Sequence, residues 1–364
     1  MSTQSIVIDN GSGYIKVGFA GSETPRSLFP TIVGTPSSAQ LMIGGQNKDF
    51  FVGFEAVAKK DLLNIRNPIE NGVINNWDDI EKIWHHSFYN ELHVVPEEFS
   101  VVVTEKPLIQ RSHREKLMQV MFETFNVKAF FSSIQAVLSL FSLGKTTGVV
   151  FDAGEGVSHT VSIYEGYGLP HAIQRTSISG FDLTENLRKS LSAYNIDHAT
   201  AQTIKESLCY VALDYTTSLQ EKDDPVQFKL PDGRIIKLGT ERITCPEALF
   251  QPSIIGANCL SVHKCITEAI EKSYSDIKSE LISNIVLAGG STMFPGFPER
   301  VKKEIVSAYA QASNSNVIAT AGRKNSAWLG GSVIASLEAF PAMAIDKSEY
   351  REEGSQIIHR KCCC

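Results

Sequence analysis

Asp9, Gly11, Ser12, Gly13 and Lys16 fall within one short stretch, IVIDNGSGYIKVGF (6–19). Glycines admit positive φ and carry no side chain, so successive backbone amides can close around an anion. A carboxylate ending the inner strand can anchor a hydrated divalent cation, because Mg²⁺ keeps several waters and uses few carboxylates. Lys16, on the return strand, can reach a phosphate as a point charge. The same plan recurs in VVFDAGEGVSHTVSIYEG (149–166), with Asp152, Gly154, Glu155 and Gly156, 143 residues after the first aspartate. One copy reads equally well as a plain hairpin with a glycine turn. Two copies, each with Asp closing the inner strand, point to facing hairpins that grip a polyphosphate, with Asp9 and Asp152 on its metal through water. A third turn, NIVLAGGSTMFPG (284–296), is strand, Gly-Gly, helix start. It suits close approach of a flat base or an α-phosphate to backbone.

Such hairpins need strands behind them. Val7–Asp9 and Val149–Asp152 read as buried strands, and Tyr14–Phe19 and Val157–Ile163 as their return strands. The repetition predicts two similar α/β lobes with a nucleotide in the cleft between them. A chain of 364 residues holds two or three domain-sized units. A net charge of −6 and a pI near 5.9 advertise neither a nucleic-acid binder nor a membrane-surface protein. No apolar run reaches spanning length, and MSTQS leads directly into a strand, so no signal peptide is expected. Four of the seven cysteines are scattered and three close the chain, with no zinc or disulfide spacing. A reducing, cytosolic setting fits that usage. Asn10-Gly11-Ser12 matches a glycosylation sequon by chance. Adjacent His85 and His86 point about 100° apart on a helix and cannot form an i, i+4 metal pair.

The stretches GFAG, FPTIVG, NWDDIEKIWHHSFYNEL, MFETFNV, IQAVLSL, IYEGYGLPHAI, LCYVALD, GGSTMFPG, AWLGGSVIASL and IIHRKC follow one another along the chain. In content, order and spacing the sequence resembles actin over essentially residues 5–362. The resemblance implies a duplicated actin-type ATPase fold of ribonuclease H-like α/β lobes around a nucleotide cleft. It places the inner part of the first lobe at 1–30, 68–142 and 326–364, and its outer part at 31–67. The second lobe has 143–178 and 258–325 inside and 179–257 outside.

The resemblance also assigns roles. Phosphate contacts fall on Ser12, Gly13, Lys16, Gly154, Glu155 and Gly156, and metal-side carboxylates on Asp9 and Asp152. Gln135 matches the glutamine that positions the attacking water, and His159 the histidine that assists it. Taken alone, Gln135 reads as a hydrogen-bonded core glutamine and His159 as an ordinary strand histidine. Phosphoryl transfer to water depends mainly on positioning and electrostatics, so an orienting glutamine is chemically sufficient. The base and ribose side maps onto Lys205, Glu206, Gly290, Met293, Phe294 and Lys324. The implied cofactors are ATP or ADP with Mg²⁺ or Ca²⁺.

Several positions depart from the family. Glu155 stands where actins usually have Asp, Gln202 replaces an arginine near the adenine, Phe294 a tyrosine, and Asn71 a histidine that many actins methylate. Ala344 replaces a tryptophan in the cleft that receives the neighbouring subunit, where Phe141, Gly144, Thr146 and Tyr167 also fall. Residues 37–49 match the loop that inserts into that cleft, with an apolar tip at Leu41, Met42 and Ile43. Leu249–Val262 keeps much of the apolar inter-strand plug, while 190–203 and 216–228 look shorter than in ordinary actin. The charges of Asp78, Asp79 and Glu81 read as a solvated helix face. No carboxylate side chain precedes Asp9, which implies weaker binding to myosin than ordinary actin shows. The tail HRKCCC cannot be a prenylation box, since the fourth residue from the end is Lys361. It reads as exposed, oxidisable thiols or, alternatively, as an acylation site.

Three functions follow. The first is a cytoplasmic, cytoskeletal actin that self-assembles, slowly hydrolyses ATP on assembly, and meets partners of profilin and cofilin type, with no nucleic-acid partner and no membrane insertion. The second is a non-polymerising actin-like subunit of a chromatin-remodelling or dynactin-like complex. The third is a small-molecule kinase on the same fold.

Overall fold

The strand Ile6–Asn10 (β1) is apolar up to Asp9 and buried along its whole length, as expected for a strand covered on both faces. In the computed structural model it lies inside a six-stranded sheet. Its antiparallel neighbour is Tyr14–Phe19 (β2), which pairs in turn with Ser27–Pro30 (β3). On its other side lies Ser100–Glu105 (β4), in parallel, then Ala129–Ile134 (β5), also parallel, then the short strand Ile345–Asp346. The structure describes residues 4–37, 48–221, 224–308 and 315–362. It divides into two units, Met1–Lys145 with Asn325–Cys364, and Thr146–Lys324.

The first unit is built around this sheet. Trp84, Phe88, Phe130 and Trp328 are fully buried in its core. The helix Trp77–His85 (α1) starts at Asn76, whose side chain accepts from the Asp79 amide, a standard N-cap. Asp79 does not lie on a solvated face. It is 1% exposed and pairs with Arg66 at 2.6 Å and Lys82 at 2.7 Å. Burial works against its charge, but the bonds to Arg66 and Lys82 hold its carboxyl below the usual range. The reason is legible in the helix period: Asp79 is four residues before Ile83, on the same buried stripe as Ile80 and Trp84.

The C-terminal segment is likewise more buried than the sequence suggests. Arg114, on the helix Arg111–Glu123 (α2), grips Glu105 with two nitrogens and donates to the Cys362 carbonyl at 2.6 Å. Cys362 is fully buried, its sulfur accepts from the Ser132 amide, and burial pushes its thiol up to about 12. It is therefore not an exposed, oxidisable thiol; Cys363 and Cys364 lie outside the described residues. Ala344 is also buried, at 2% exposure, and its carbonyl accepts from Lys361. The loop tip Leu41–Ile43 lies outside the described residues.

The second unit repeats the central plan. Gly148–Ala153 (β6) is wholly buried and pairs antiparallel with Ser158–Tyr164 (β7) and parallel with Ile285–Ala288 (β8). In each unit, then, the Asp-bearing strand has its hairpin partner on one side and a parallel strand on the other. Among the described residues, no helix is long and apolar enough to cross a membrane.

Candidate nucleotide site

In the first unit, the register sets Asp9 opposite Lys16 across the β1–β2 hairpin. Lys16 Nζ donates to Asp9 Oδ2 at 2.7 Å. The parallel pairing carries Thr104, on β4, to the other carboxylate oxygen. Its hydroxyl donates to Asp9 Oδ1 at 2.6 Å and accepts from the Asn10 amide at 3.2 Å. Gln135 is the first residue of the helix Gln135–Phe141 (α3), directly after β5. Its amide nitrogen donates to Asp9 Oδ1 at 2.7 Å and lies 3.1 Å from the Thr104 hydroxyl. Asp9 is 2% exposed. Burial raises its pKa, but the charge and hydrogen bond of Lys16, with Thr104 and the charge of Lys106, hold it below the usual carboxylate range. It is a buried carboxylate kept ionised by its donors.

The Gly-Ser-Gly turn is held from outside. Thr31 bonds it twice, from its amide to the Gly13 carbonyl and from its hydroxyl to the Gly11 carbonyl. Asn67 Nδ2 donates to the Ser12 carbonyl, and the Gly72 amide donates to Ser12 Oγ at 3.0 Å. Gly72 comes from the hairpin that pairs Glu70 with Val73. Asn71 and Gly72 have φ of 50° and 78°, the two positive values that an Asn-Gly type I′ turn requires. Asn71 is thus a turn-former whose neighbour fixes the serine.

In the second unit, Asp152 lies opposite His159 in the β6–β7 register, and both are buried. The turn between them is tied to the start of the helix Gly180–Ser190 (α4). The Gly180 amide donates to the Gly154 carbonyl and the Phe181 amide to the Glu155 carbonyl, both at 2.9 Å. Lys205, on the helix His198–Leu208 (α5), is buried. It donates to the Gly180 carbonyl at 2.8 Å and lies 3.6 Å from Glu155 Oε2. The longer Glu155 therefore reaches the lysine expected on the base side. Its neighbour Glu206 is exposed and accepts from Gln202 at 2.8 Å.

The Gly-Gly turn closes against the same strand end. Gly289 has φ +86°, and a Cβ there would lie 2.2 Å from the Ala153 carbonyl oxygen and 2.6 Å from Asp152 Oδ1. Only glycine fits such an approach. Gly290 has open space around it. Met293 is half-buried, Phe294 is packed in the unit's core at 7% exposure, and Lys324 is exposed. Among the expected residues, Asp9, Ser12, Gly13, Lys16 and Gln135 belong to the first unit, and Asp152, Gly154, Glu155, Gly156, His159, Lys205, Glu206, Gly290, Met293, Phe294 and Lys324 to the second.

Sequence reasoning missed Thr104, Ser291 and Arg323. Ser291 Oγ donates to the Gly154 carbonyl at 3.0 Å, joining the Gly-Gly turn to the second hairpin. Arg323 is buried and forks onto Thr292, Nε to the hydroxyl at 3.0 Å and Nη2 to the carbonyl at 2.7 Å. Its Nη1 donates to the Thr320 carbonyl, and its own carbonyl accepts from Gly289. Nothing in AGRKN announces such a clamp, but Thr104 was within reach, since it follows the apolar run Val101–Val103 as Asp9 follows Ile6–Ile8. Lysine cannot reproduce a planar fork. Arg323→Lys should therefore destabilise the second unit by about 2 kcal/mol and speed hydrogen exchange of the 289–294 amides. Stability and exchange equal to wild type would remove the clamp from the account.

The donor set suits a cation held through water. Both Asp9 oxygens are already engaged by protein donors. Among the described residues no group of three His, Cys, Asp or Glu side chains could hold a metal directly. An ion that keeps its waters and rides on phosphate oxygens fits that chemistry better than one needing a full protein cage. The family model of actin matches residues 1–203 and 196–363. With two α/β units built on one repeated hairpin, the chain belongs to the actin family.

Proposed function

We propose that this actin-like, ATP-binding protein is a filament-forming actin that hydrolyses ATP slowly on assembly. The observation that carries the nucleotide half is the Asp9 network, in which an ionised, buried carboxylate is fixed by Lys16, Thr104 and Gln135. In this reading Ser12, Gly13 and Lys16 of one hairpin and Gly154, Glu155 and Gly156 of the other hold the phosphates. Asp9 and Asp152 hold the hydrated Mg²⁺ or Ca²⁺, which supplies charge neutralisation at the phosphates. Gln135 commits its amide nitrogen to Asp9, so its carbonyl oxygen is the end that orients the attacking water, and His159 assists. Lys205, Glu206, Gly290, Met293, Phe294 and Lys324 form the base and ribose side. The four-part division into inner and outer portions of each lobe belongs to the same reading.

The assembly half rests on the plug and on the residues expected around the receiving cleft. Ile254 and Ile255, in the turn Pro252–Ile255, are half-buried, and Tyr167 is 48% exposed. A head-to-tail contact that does not close on itself gives an open helix. A cytoplasmic, cytoskeletal setting, partners of profilin and cofilin type, and a weaker grip on myosin complete the proposal.

Sedimentation and electron microscopy in Mg-ATP and salt test it. Polar filaments are expected above a critical concentration, and replacing Leu41, Met42 and Ile43 together with Ser should raise that concentration without changing ATP affinity. Protein that stays monomeric with nucleotide bound would sink assembly and favour the non-polymerising subunit. ADP production stimulated by a small hydroxylated substrate would favour the kinase.

A further inference from the structure

Two thiols of the second unit are buried in one core on elements that hydrogen-bond to each other. Cys209 follows the last turn of α5, and Cys245 lies on the helix Glu241–Glu247 (α6). Hydrogen bonds between the two elements fix the approach. The Tyr210 amide donates to the Arg242 carbonyl at 3.2 Å, and Arg242 Nε donates to the Leu208 carbonyl at 3.1 Å. Cys245 lies one helical turn beyond Arg242, in the same buried core as Cys209, and the neighbouring Cys245 thiol pushes the Cys209 thiol up. The Cys245 thiol donates to the Leu183 carbonyl on α4. Both side chains are packed into the core, at 3% and 1% exposure. The junction thus joins the three helices that carry Gly180, Lys205 and Cys245.

We propose that Cys209 and Cys245 are an oxidation site, joined by a peroxide into an intramolecular disulfide when the α5–α6 contact opens, and that bound nucleotide keeps the contact closed. The second clause rests on the nucleotide reading above. One thiol, deprotonated on exposure, attacks a peroxide oxygen; the O–O bond breaks, leaving a sulfenic acid and releasing hydroxide, which takes up that proton as water. The other thiol then attacks the sulfenyl sulfur, forms the S–S bond and releases a second water. Two thiols and one hydrogen peroxide give one disulfide and two waters.

The closed state resists this step. The neighbouring Cys245 thiol, and then burial, push the Cys209 thiol far above its ordinary range, and the thiolate is the reactive form. Oxidation must wait for local opening. Lys205 and Glu206 lie one turn before Cys209, and Lys205 ties α5 to Gly180 and Glu155. A nucleotide held by these residues favours the closed arrangement. If opening and binding exclude each other, ligand at one hundred times its Kd slows disulfide formation about 100-fold.

The test uses the full-length wild-type protein. ATP affinity is measured first, on unoxidised protein. Samples with Mg-ATP and samples stripped with EDTA are then exposed to hydrogen peroxide, alkylated, digested without reductant and mapped by mass spectrometry. The half-exposed Cys259 reports reagent access in both. The expected result is a Cys209–Cys245 peptide, lighter by two hydrogens than its parts, that forms many-fold faster without nucleotide and is lost in Cys209→Ser or Cys209→Ala. No such peptide in either state, or equal rates in a protein shown to bind ATP, would overturn the proposal. Failure to bind ATP before oxidation would instead sink the function proposed above and the nucleotide control with it.

Discussion

Gly330→Ala should unfold the first unit or cost it more than about 4 kcal/mol, the range reserved for structural obstruction. Gly330 lies in the helix Ser326–Ile334, which crosses α3. A Cβ there would sit 1.8 Å from the Leu138 carbonyl oxygen and 2.4 Å from its carbon. Both are backbone atoms, so no rotamer change relieves the overlap. In an open helix the same substitution would gain about 1 kcal/mol of propensity, far less than the obstruction removes. The helix cannot simply lift away, because Trp328 Nε1 donates to the Val7 carbonyl at 3.1 Å and Gly331 presses on Val7. If α3 moves instead, Gln135 in its first turn leaves Asp9. Gly290→Ala is the matched control: nothing lies within 4 Å of its Cβ position, so its stability should stay within about 0.5 kcal/mol of wild type. Urea unfolding of the two variants makes the comparison. Equal stability for Gly330→Ala and wild type would mean the crossing is not this close.

What the sequence disclosed here is what lies close together along the chain. Asp9 to Lys16 is one hairpin, and its register follows from strand alternation and the turn. Its repetition at Asp152 then declares two units. Asn71-Gly72 is a turn signal of the same local kind. The residues that complete each site come from far away. Thr104 is 95 positions from Asp9, and Arg323 is 31 from Thr292. Only strand order brings them in, and strand order is a property of the folded sheet. Asp79 is the instructive miss, because its residue type outweighed its place on the apolar stripe. Cys362 is another, because a buried chain end depends on a carbonyl contact with Arg114 that no local pattern encodes.

Asp9→Asn should be the most damaging change at the site. The carboxylate receives donors on both oxygens, Lys16 on Oδ2 and Thr104 with Gln135 on Oδ1. An amide has one acceptor end. Whichever way Asn turns, its NH₂ faces either the Lys16 ammonium or the Thr104 hydroxyl and Gln135 amide. The half-buried Lys16 also loses its counter-charge. Breaking a buried pair by removing one partner costs about 3–5 kcal/mol, and Mg-ATP affinity should fall with it. The pH dependence identifies the cause. The folded carboxyl titrates below its unfolded value of 3.8, so its contribution is fully present above 3.8 and is lost as pH falls through the folded pKa. The stability gap between wild type and Asp9→Asn should therefore be widest at neutral pH and narrow in acid. Urea unfolding of the first unit across that range reads the gap directly. A gap that is constant with pH, or below about 1 kcal/mol throughout, would show that the Asp9 charge is not what its three donors are arranged to hold.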